Sequence, residues 1–447
     1  MRVRWFCITG SFLLTAVWQS GVNASFEAGM DRFAMPVLGL ENAVQAESLD
    51  TFSIEPVGSF PGRFSSFAPD DQGMVTHEFD GDQTHLFSLD GTELLSFTDT
   101  RIGFALDGQM MTLTSPRAYG ARPDPDTTTR LMTLDGAEIA SFPGLGLSFI
   151  PETELLIIRD LDEQRSRLAN FNGEEIAVLE GIYLGETLGP RDIITYSLTT
   201  GRYYLYDLNG TEIASFPGRI EGWRAMPDHQ SVLVSDAGQT RWFNRNGDEL
   251  ATYSGRGVGA LPDGQAIFLN SEAENSSRLV RLDGEEIASY TGWFPILTSD
   301  NQRVVTRSFE DDTTRIYALD GTEIAVIPEA FRELSPDGEG LFVSSYNQQD
   351  PDDQKSGFYT LEGDEIATFT GEFRAFWPEL GIVITATSQR VDDGSLFIQT
   401  HLHSLDGEAL TTVEGDFGGI SPTQELLAVS SNVSPLTTEL YRIRMGE

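Results

Sequence analysis

Five arginines recur at one place in a repeated pattern. Six positions before the glycine that marks each repeat stand Arg130, Arg167, Arg241, Arg278 and Arg315, with His85, Tyr204, Gly357 and His401 in the other units. A guanidinium is a planar fork of donors that fits a carboxylate, a sulfate or an acidic protein loop. If this position opens the third strand of each unit, the arginines form a ring on the face where the loops between second and third strands emerge. The local alternative is that each arginine answers its own acidic loop: Asp160 to Glu163 precedes Arg167, Glu310 to Asp312 precedes Arg315, and Asp124 to Asp126 precedes Arg130. Two places after the same glycine come Glu93, Glu138, Glu175, Glu212, Glu249, Glu286, Glu323 and Glu365. They read as an acidic girdle for cations or a basic partner, or as charges that keep an exposed outer strand from pairing with another chain. Counted outward from the turn they lie at the far end of the hairpin from the arginines, which excludes pairing within a unit.

Other groups offer less ordered chemistry. His401 and His403 share one face of a strand and can hold one metal ion if a third ligand joins them. Asp350 to Asp353 and Asp392-Asp393 are oxygen ligands of the kind Ca²⁺ takes, without the ordered spacing of a dedicated calcium loop. No catalytic residue is assigned. The chain has no Gly-x-Ser-x-Gly elbow, no phosphate-cradling glycine loop and no His-Glu-x-x-His, and none of its carboxylates is singled out as a glycosidase pair.

The elements that must position these residues are written in the repeat itself. Leu89 to Phe97 reads LDGTELLSF and Leu134 to Phe142 reads LDGAEIASF. The theme returns through LNGTEIASF, RNGDELATY and LDGEEIASY to a weaker LDGEALTTV ending at Val413. The marker glycines are Gly91, Gly136, Gly173, Gly210, Gly247, Gly284, Gly321, Gly363 and Gly407, so the commonest spacing is 37 residues. A period near that value indicates an array of supersecondary units. Asn246-Gly247 is a hairpin signal, expected as a two-residue type I′ turn in which Asn244 faces Glu249 and Phe243 faces Leu250. In the unit at Gly210, Leu205, Ala214 and Phe216 fall on one face, with Tyr204, Tyr206, Leu208 and Ile213 on the other. A strand pair that is apolar on both faces lies between two other sheets. Upstream turn signals, such as Leu334 to Gly338 before Leu341 to Ser345, add a second strand pair to each unit.

These readings predict an all-β chain: one closed β-propeller of about ten four-stranded blades, each near 37 residues. After Val413 the chain supplies three more strands, around 417–420, 426–430 and 439–444, and then ends. Val57 to Gly62, VGSFPG, matches the repeat ending Ile213 to Gly218, IASFPG, so an N-terminal strand is expected to complete the last blade. Nine blades with a separate C-terminal piece, or two rings, are the alternative counts. The expected boundaries are a signal peptide over 1–24, an N-terminal extension over 25–54 and the propeller over 55–447. The signal reading rests on Arg2 and Arg4, the apolar run from Trp5 to Val17 and the small residues Val22 to Ala24 before Ser25. The protein is therefore expected outside the cytoplasm, secreted or periplasmic, with no membrane span once the signal is removed.

Composition narrows the partners. The formal charge is −40, and removing residues 1–24 deletes two arginines and no acid, giving −42. Such a surface repels phosphate backbones and anionic lipid, which argues against nucleic acid. It favours solubility and fits a saline habitat. The single cysteine, Cys7, lies in the signal, so the mature chain has no disulfide, thiolate metal site or cysteine nucleophile.

The pattern resembles WD40 and TolB-like propeller repeats over about residues 55–445. Leu205-Tyr-Asp-Leu208 is similar to the strand that carries Trp-Asp in WD40 units, and Ser335-Pro-Asp-Gly338 to a turn that both families share. The Gly-His and Trp-Asp pairs themselves are absent, so the buried His-Asp network of WD40 units is not implied. The resemblance implies a scaffold that binds proteins or other ligands. The function expected is a monomeric, non-catalytic binding or scaffold module that takes a protein or acidic ligand on its loop face, without a cofactor, Ca²⁺ being the ion its acidic loops would accept. The alternative is a propeller hydrolase or lyase acting on a polysaccharide or small ester in the central channel.

Overall fold

A computed structural model describes residues 52–445, apart from short stretches at 70–72, 80–81, 106–109, 116–126, 151–152, 161–162, 186–187, 190, 221, 272–273, 346–353, 391–395 and 432–434. The expected signal, the expected extension up to residue 51 and the acid-bearing stretches at 116–126, 346–353 and 391–395 lie outside the described residues.

Ten four-stranded antiparallel sheets follow one another around a ring. This is a ten-bladed β-propeller. Blades 1 to 9 span residues 63–98, 101–143, 145–180, 182–217, 223–254, 256–291, 293–327, 330–370 and 372–414. Blade 10 takes three strands from 416–445 and its outer strand, Phe52–Pro61, from the other end of the chain. That strand begins three residues before the expected boundary at 55. It runs antiparallel to Thr437–Met445, with Ser59 opposite Glu439 and Phe52 opposite Met445. Closure is therefore by a strand of high sequence separation, and Phe60, 2% exposed, packs with Phe67, Met74, Phe87 and Leu440 across the seam.

Both faces of each blade are covered by its neighbours. Leu205, Ala214 and Phe216 pack with Trp223, Val232, Val234 and Phe243 of blade 5. Tyr206, on the opposite face of blade 4, packs with Leu168 and Leu179 of blade 3. Ile213 departs from the expected pattern: it packs with the first group rather than with Tyr206.

The cause is a bulge. The hairpin at Gly247 is a four-residue turn closed by Gly247 N–H donating to the Asn244 carbonyl, and only the glycine has positive φ, 91°. It is not the type I′ turn that Asn-Gly suggests, because Asn246 stays in the ordinary region. The register then shifts once more, so Trp242 faces Ala251 but Phe243 faces Glu249, not Leu250. The same shift recurs in the other turn-marked hairpins, for example between Ile316 and Tyr317. One extra residue moves the recurrent glutamate to the opposite face of the outer strand.

The turn glycine also explains the recurrent alanine. A Cβ at Gly210 would stand 2.2 Å from the Ala177 Cβ of the preceding blade, and one at Gly363 would stand 2.5 Å from that of Ala325. At these positions the blade's turn rests on the previous blade's outer strand, at a separation only small residues allow, whereas Gly91 and Gly284 have open space.

Candidate functional site

The five arginines of the repeat sit two residues inside the third strand rather than at its opening: Arg167 lies in Arg165–Asn170 and Arg315 in Thr313–Ala318. Two strands separate that position from the channel, so the structure does not bring the arginines together there. Each is half-buried in the cleft facing its neighbour. The bulge places the recurrent glutamate on the arginine's own face, and the two pair: Arg315–Glu323 at 2.9 Å, Arg167–Glu175 at 3.1 Å, Arg278–Glu286 at 3.4 Å and Arg130–Glu138 at 3.9 Å. The expectation that these glutamates lie out of reach fails for that reason. Loop acids join in, Asp160 on Arg167 and Asp311 on Arg315, each at 3.1 Å. Arg241 and Arg278 donate to the Pro217 and Ser254 carbonyls at the end of the preceding outer strand, at 2.9 and 2.6 Å. Hydrogen bonds from Ser308 and Thr313, reinforced by Arg315, hold the Asp311 carboxyl down at about 2.

His401 and His403 lie on one strand face with ring centroids 6.1 Å apart. His401 bonds the Thr387 hydroxyl at 2.8 Å and the Thr412 hydroxyl at 2.9 Å, and His403 bonds Thr385 at 3.2 Å. Burial, reinforced by the His401 charge, lowers His403 to about 4. No group of three or more His, Cys, Asp or Glu able to hold a metal is found among the described residues.

The junctions between blades carry a feature that the sequence reading missed. Seven positions before every turn glycine stands a hydroxyl: Thr84, Thr129, Ser166, Tyr203, Thr240, Ser277, Thr314, Ser356 and Thr400, each no more than 3% exposed. Ser166 donates to the Gly181 carbonyl at 3.0 Å and Thr314 to that of Glu329 at 2.6 Å; Thr438 repeats the contact in blade 10, on Gly62 at 2.9 Å. Several also accept from the next blade, as Ser166 does from Tyr183 N–H at 2.8 Å. A single buried hydroxyl thus ties each blade to the connection that leaves it. Aligning the nine units on their glycines shows it at once.

The channel mouth on the side of the second-to-third-strand loops is formed where each innermost strand begins. Most of its charges are paired. Arg63 of blade 1 meets Asp416 of blade 10 at 3.2 Å. Arg332 and Arg374, at the bulges of two innermost strands, share Glu372 at 3.2 and 3.1 Å. Blade 7 presents aromatic surface instead. Trp293, Phe294 and Phe309 meet edge to face with centroids 5.9 to 6.2 Å apart, and the Arg307 guanidinium lies 4.6 Å over Phe309. Phe294 is 39% exposed and held at φ 52°, a region that a bulky residue rarely adopts. The three longest loops leave from this same end, after Ser115, Ser344 and Arg390.

No family model and no curated protein sequence matches the chain. Among solved structures, a eukaryotic initiation factor aligns at 12% identity over 82% of this chain and 89% of its own, with a TM-score of 0.45. The dihydro-heme d1 dehydrogenase NirN in complex with DHE aligns at 13% identity over 69% and 74%, with a TM-score of 0.39. Hsv2 of Kluyveromyces lactis aligns at 12% over 60% and 98%, with a TM-score of 0.35. At these identities and scores the likenesses carry no functional weight.

Proposed function

We propose that this ring is a non-catalytic binding module, working outside the cytoplasm, that engages a protein partner through its loop-bearing channel mouth. The observation that carries the reading is the blade 7 cluster. Aromatic and arginine side chains concentrate binding energy when a partner desolvates them. Backbone strain at an exposed aromatic, here Phe294, is retained where it serves a site. A charge of −40 draws basic proteins toward the ring over long range. The occupant is accordingly a protein of net positive charge that seats an apolar side chain between Phe294 and Phe309.

The test places a photo-crosslinking phenylalanine analogue at position 294, and separately at position 246 on the opposite end, in cells that make the protein. The reading expects a discrete adduct from 294 and none from 246, with Phe294→Ala weakening capture of the same partner at least tenfold. Equal labelling at both positions, or no adduct at 294, contradicts it.

A further inference from the structure

Blades 2 and 3 hold two cations at this mouth that no described residue pairs with in a salt bridge. Arg101 opens the innermost strand of blade 2, Arg101–Ala105. Arg159 lies near the loop end of the second strand of blade 3, opposite Leu145. Arg159 is 8% exposed, its Nε is buried with no hydrogen-bond partner, and neither arginine has an ion pair among the described residues. The guanidinium runs over Gly146, the bulged residue of the innermost strand: a Cβ there would stand 3.1 Å from Arg159 Nη2. Gly146 has φ 71°, so backbone and packing both call for glycine at the place that makes room for this side chain.

The contrast with blades 8 and 9 is informative. There the innermost bulges themselves carry arginines, Arg332 and Arg374, and the chain supplies Glu372 between them. In blade 3 the bulge is glycine, the arginine arrives from the second strand, and its charged neighbour is a second arginine. Burying a cation without a counter-charge is costly, and placing another beside it raises the cost. Burial first, and Arg101 second, press the Arg159 guanidinium below its ordinary proton affinity. In a chain with 69 acids and 29 lysines and arginines, carboxylates are plentiful, yet none is supplied here from the described residues.

We propose that Arg159 and Arg101 form an oxyanion site at the mouth, taking a carboxylate, sulfate or phosphate group across the Arg159 fork with Arg101 beside it. The proposal rests on the reading that this mouth is the binding face and names one chemical group that the ligand presents there. A compact anion fits better than a polyanion, because the surrounding −40 field repels extended negative charge while two local cations outweigh it at short range.

The test uses the full mature chain at constant ionic strength set with sodium chloride. Sulfate, phosphate, acetate and succinate are titrated by calorimetry, and the melting temperature is followed in each. Wild type is expected to bind at least one of these anions at a single site and to melt higher in its presence. The tetrahedral anions against the carboxylates separate a phosphate or sulfate ligand from a partner's carboxylate. Arg159→Met is expected to bind at least tenfold more weakly, to lose the anion-dependent rise in melting temperature, and to be no less stable than wild type without anion, since it removes an uncompensated charge. Arg101→Gln is expected to weaken binding severalfold. Wild type indifferent to all four anions up to 50 mM, or Arg159→Met binding as tightly as wild type, overturns the site. Neither outcome touches the adduct at position 294, so the site and the face can fail separately.

Discussion

Ser166→Ala probes how the ring is held together. The Ser166 side chain is fully buried, donates to the Gly181 carbonyl at 3.0 Å and accepts from Tyr183 N–H at 2.8 Å. Alanine keeps the backbone and most of the volume but orphans one buried acceptor and one buried donor at the connection between blades 3 and 4. Each orphaned group costs about 1–3 kcal/mol, and the shared geometry keeps the two from adding in full, so the expected loss is about 2–4 kcal/mol. Against the ~5–15 kcal/mol typical of folded proteins this is a large fraction. The assay is equilibrium urea unfolding followed by tryptophan fluorescence, with Ser254→Ala as the control because that serine is exposed. The control is expected to move stability by less than ~0.5 kcal/mol. Ser166→Thr, which restores the hydroxyl used in most other blades, is expected to recover much of the loss. If Ser166→Ala behaves like Ser254→Ala, the buried hydroxyls are not what fastens blade to blade.

Two further outcomes follow from the packing and the charges. Gly210 and Gly284 both sit at positive φ, 77° and 93°, but a Cβ at Gly210 meets Ala177 at 2.2 Å whereas one at Gly284 meets nothing within 4 Å. Both alanine variants therefore carry the left-handed strain of ~1–2 kcal/mol, and Gly210→Ala is expected to cost ~1–3 kcal/mol more, as measured by the same unfolding curves. His403 is held neutral, with its folded value near 4 against an ordinary 6.5. The unfolded chain takes up a proton that the fold excludes, so this contribution to stability is intact above about 6.5 and is lost as pH falls toward 4. Urea midpoints of wild type and His403→Gln between pH 7 and 4 are expected to converge on that limb, and parallel curves would contradict the assignment.

The ring was legible because its signals are local and repeated. Gly91 to Gly407 mark the hairpins, two apolar faces place each blade between neighbours, and the likeness of Val57–Gly62 to Ile213–Gly218 gives away the closing strand. The faces of individual charged residues were not legible. A bulge adds one residue without a fixed sequence mark, so Glu323 was placed away from Arg315 when the fold pairs them at 2.9 Å. The arginine ring drew attention because one residue type repeats, whereas the buried hydroxyl alternates among Thr, Ser and Tyr and shows only when the glycine-aligned units are compared by chemical group rather than by residue type. Arg159 had no signal at all. Blade 7 has an arginine at the same place, Arg307 opposite Trp293, and what sets Arg159 apart, a glycine across the bulge and a second arginine from the preceding blade, is a product of packing.

The closing strand carries the account, since without it no ring and no mouth exist. Ser59 and Glu439 are cross-strand partners, their side chains 2.6 Å apart and 380 positions apart in sequence. In a chain lacking Cys7, the pair Ser59→Cys and Glu439→Cys is expected to form an intramolecular disulfide in the native state, seen as a faster band on a non-reducing gel, and to raise stability by up to ~5 kcal/mol because the loop it closes is so long. Only intermolecular bonds, or two free thiols in folded protein, would contradict the ring.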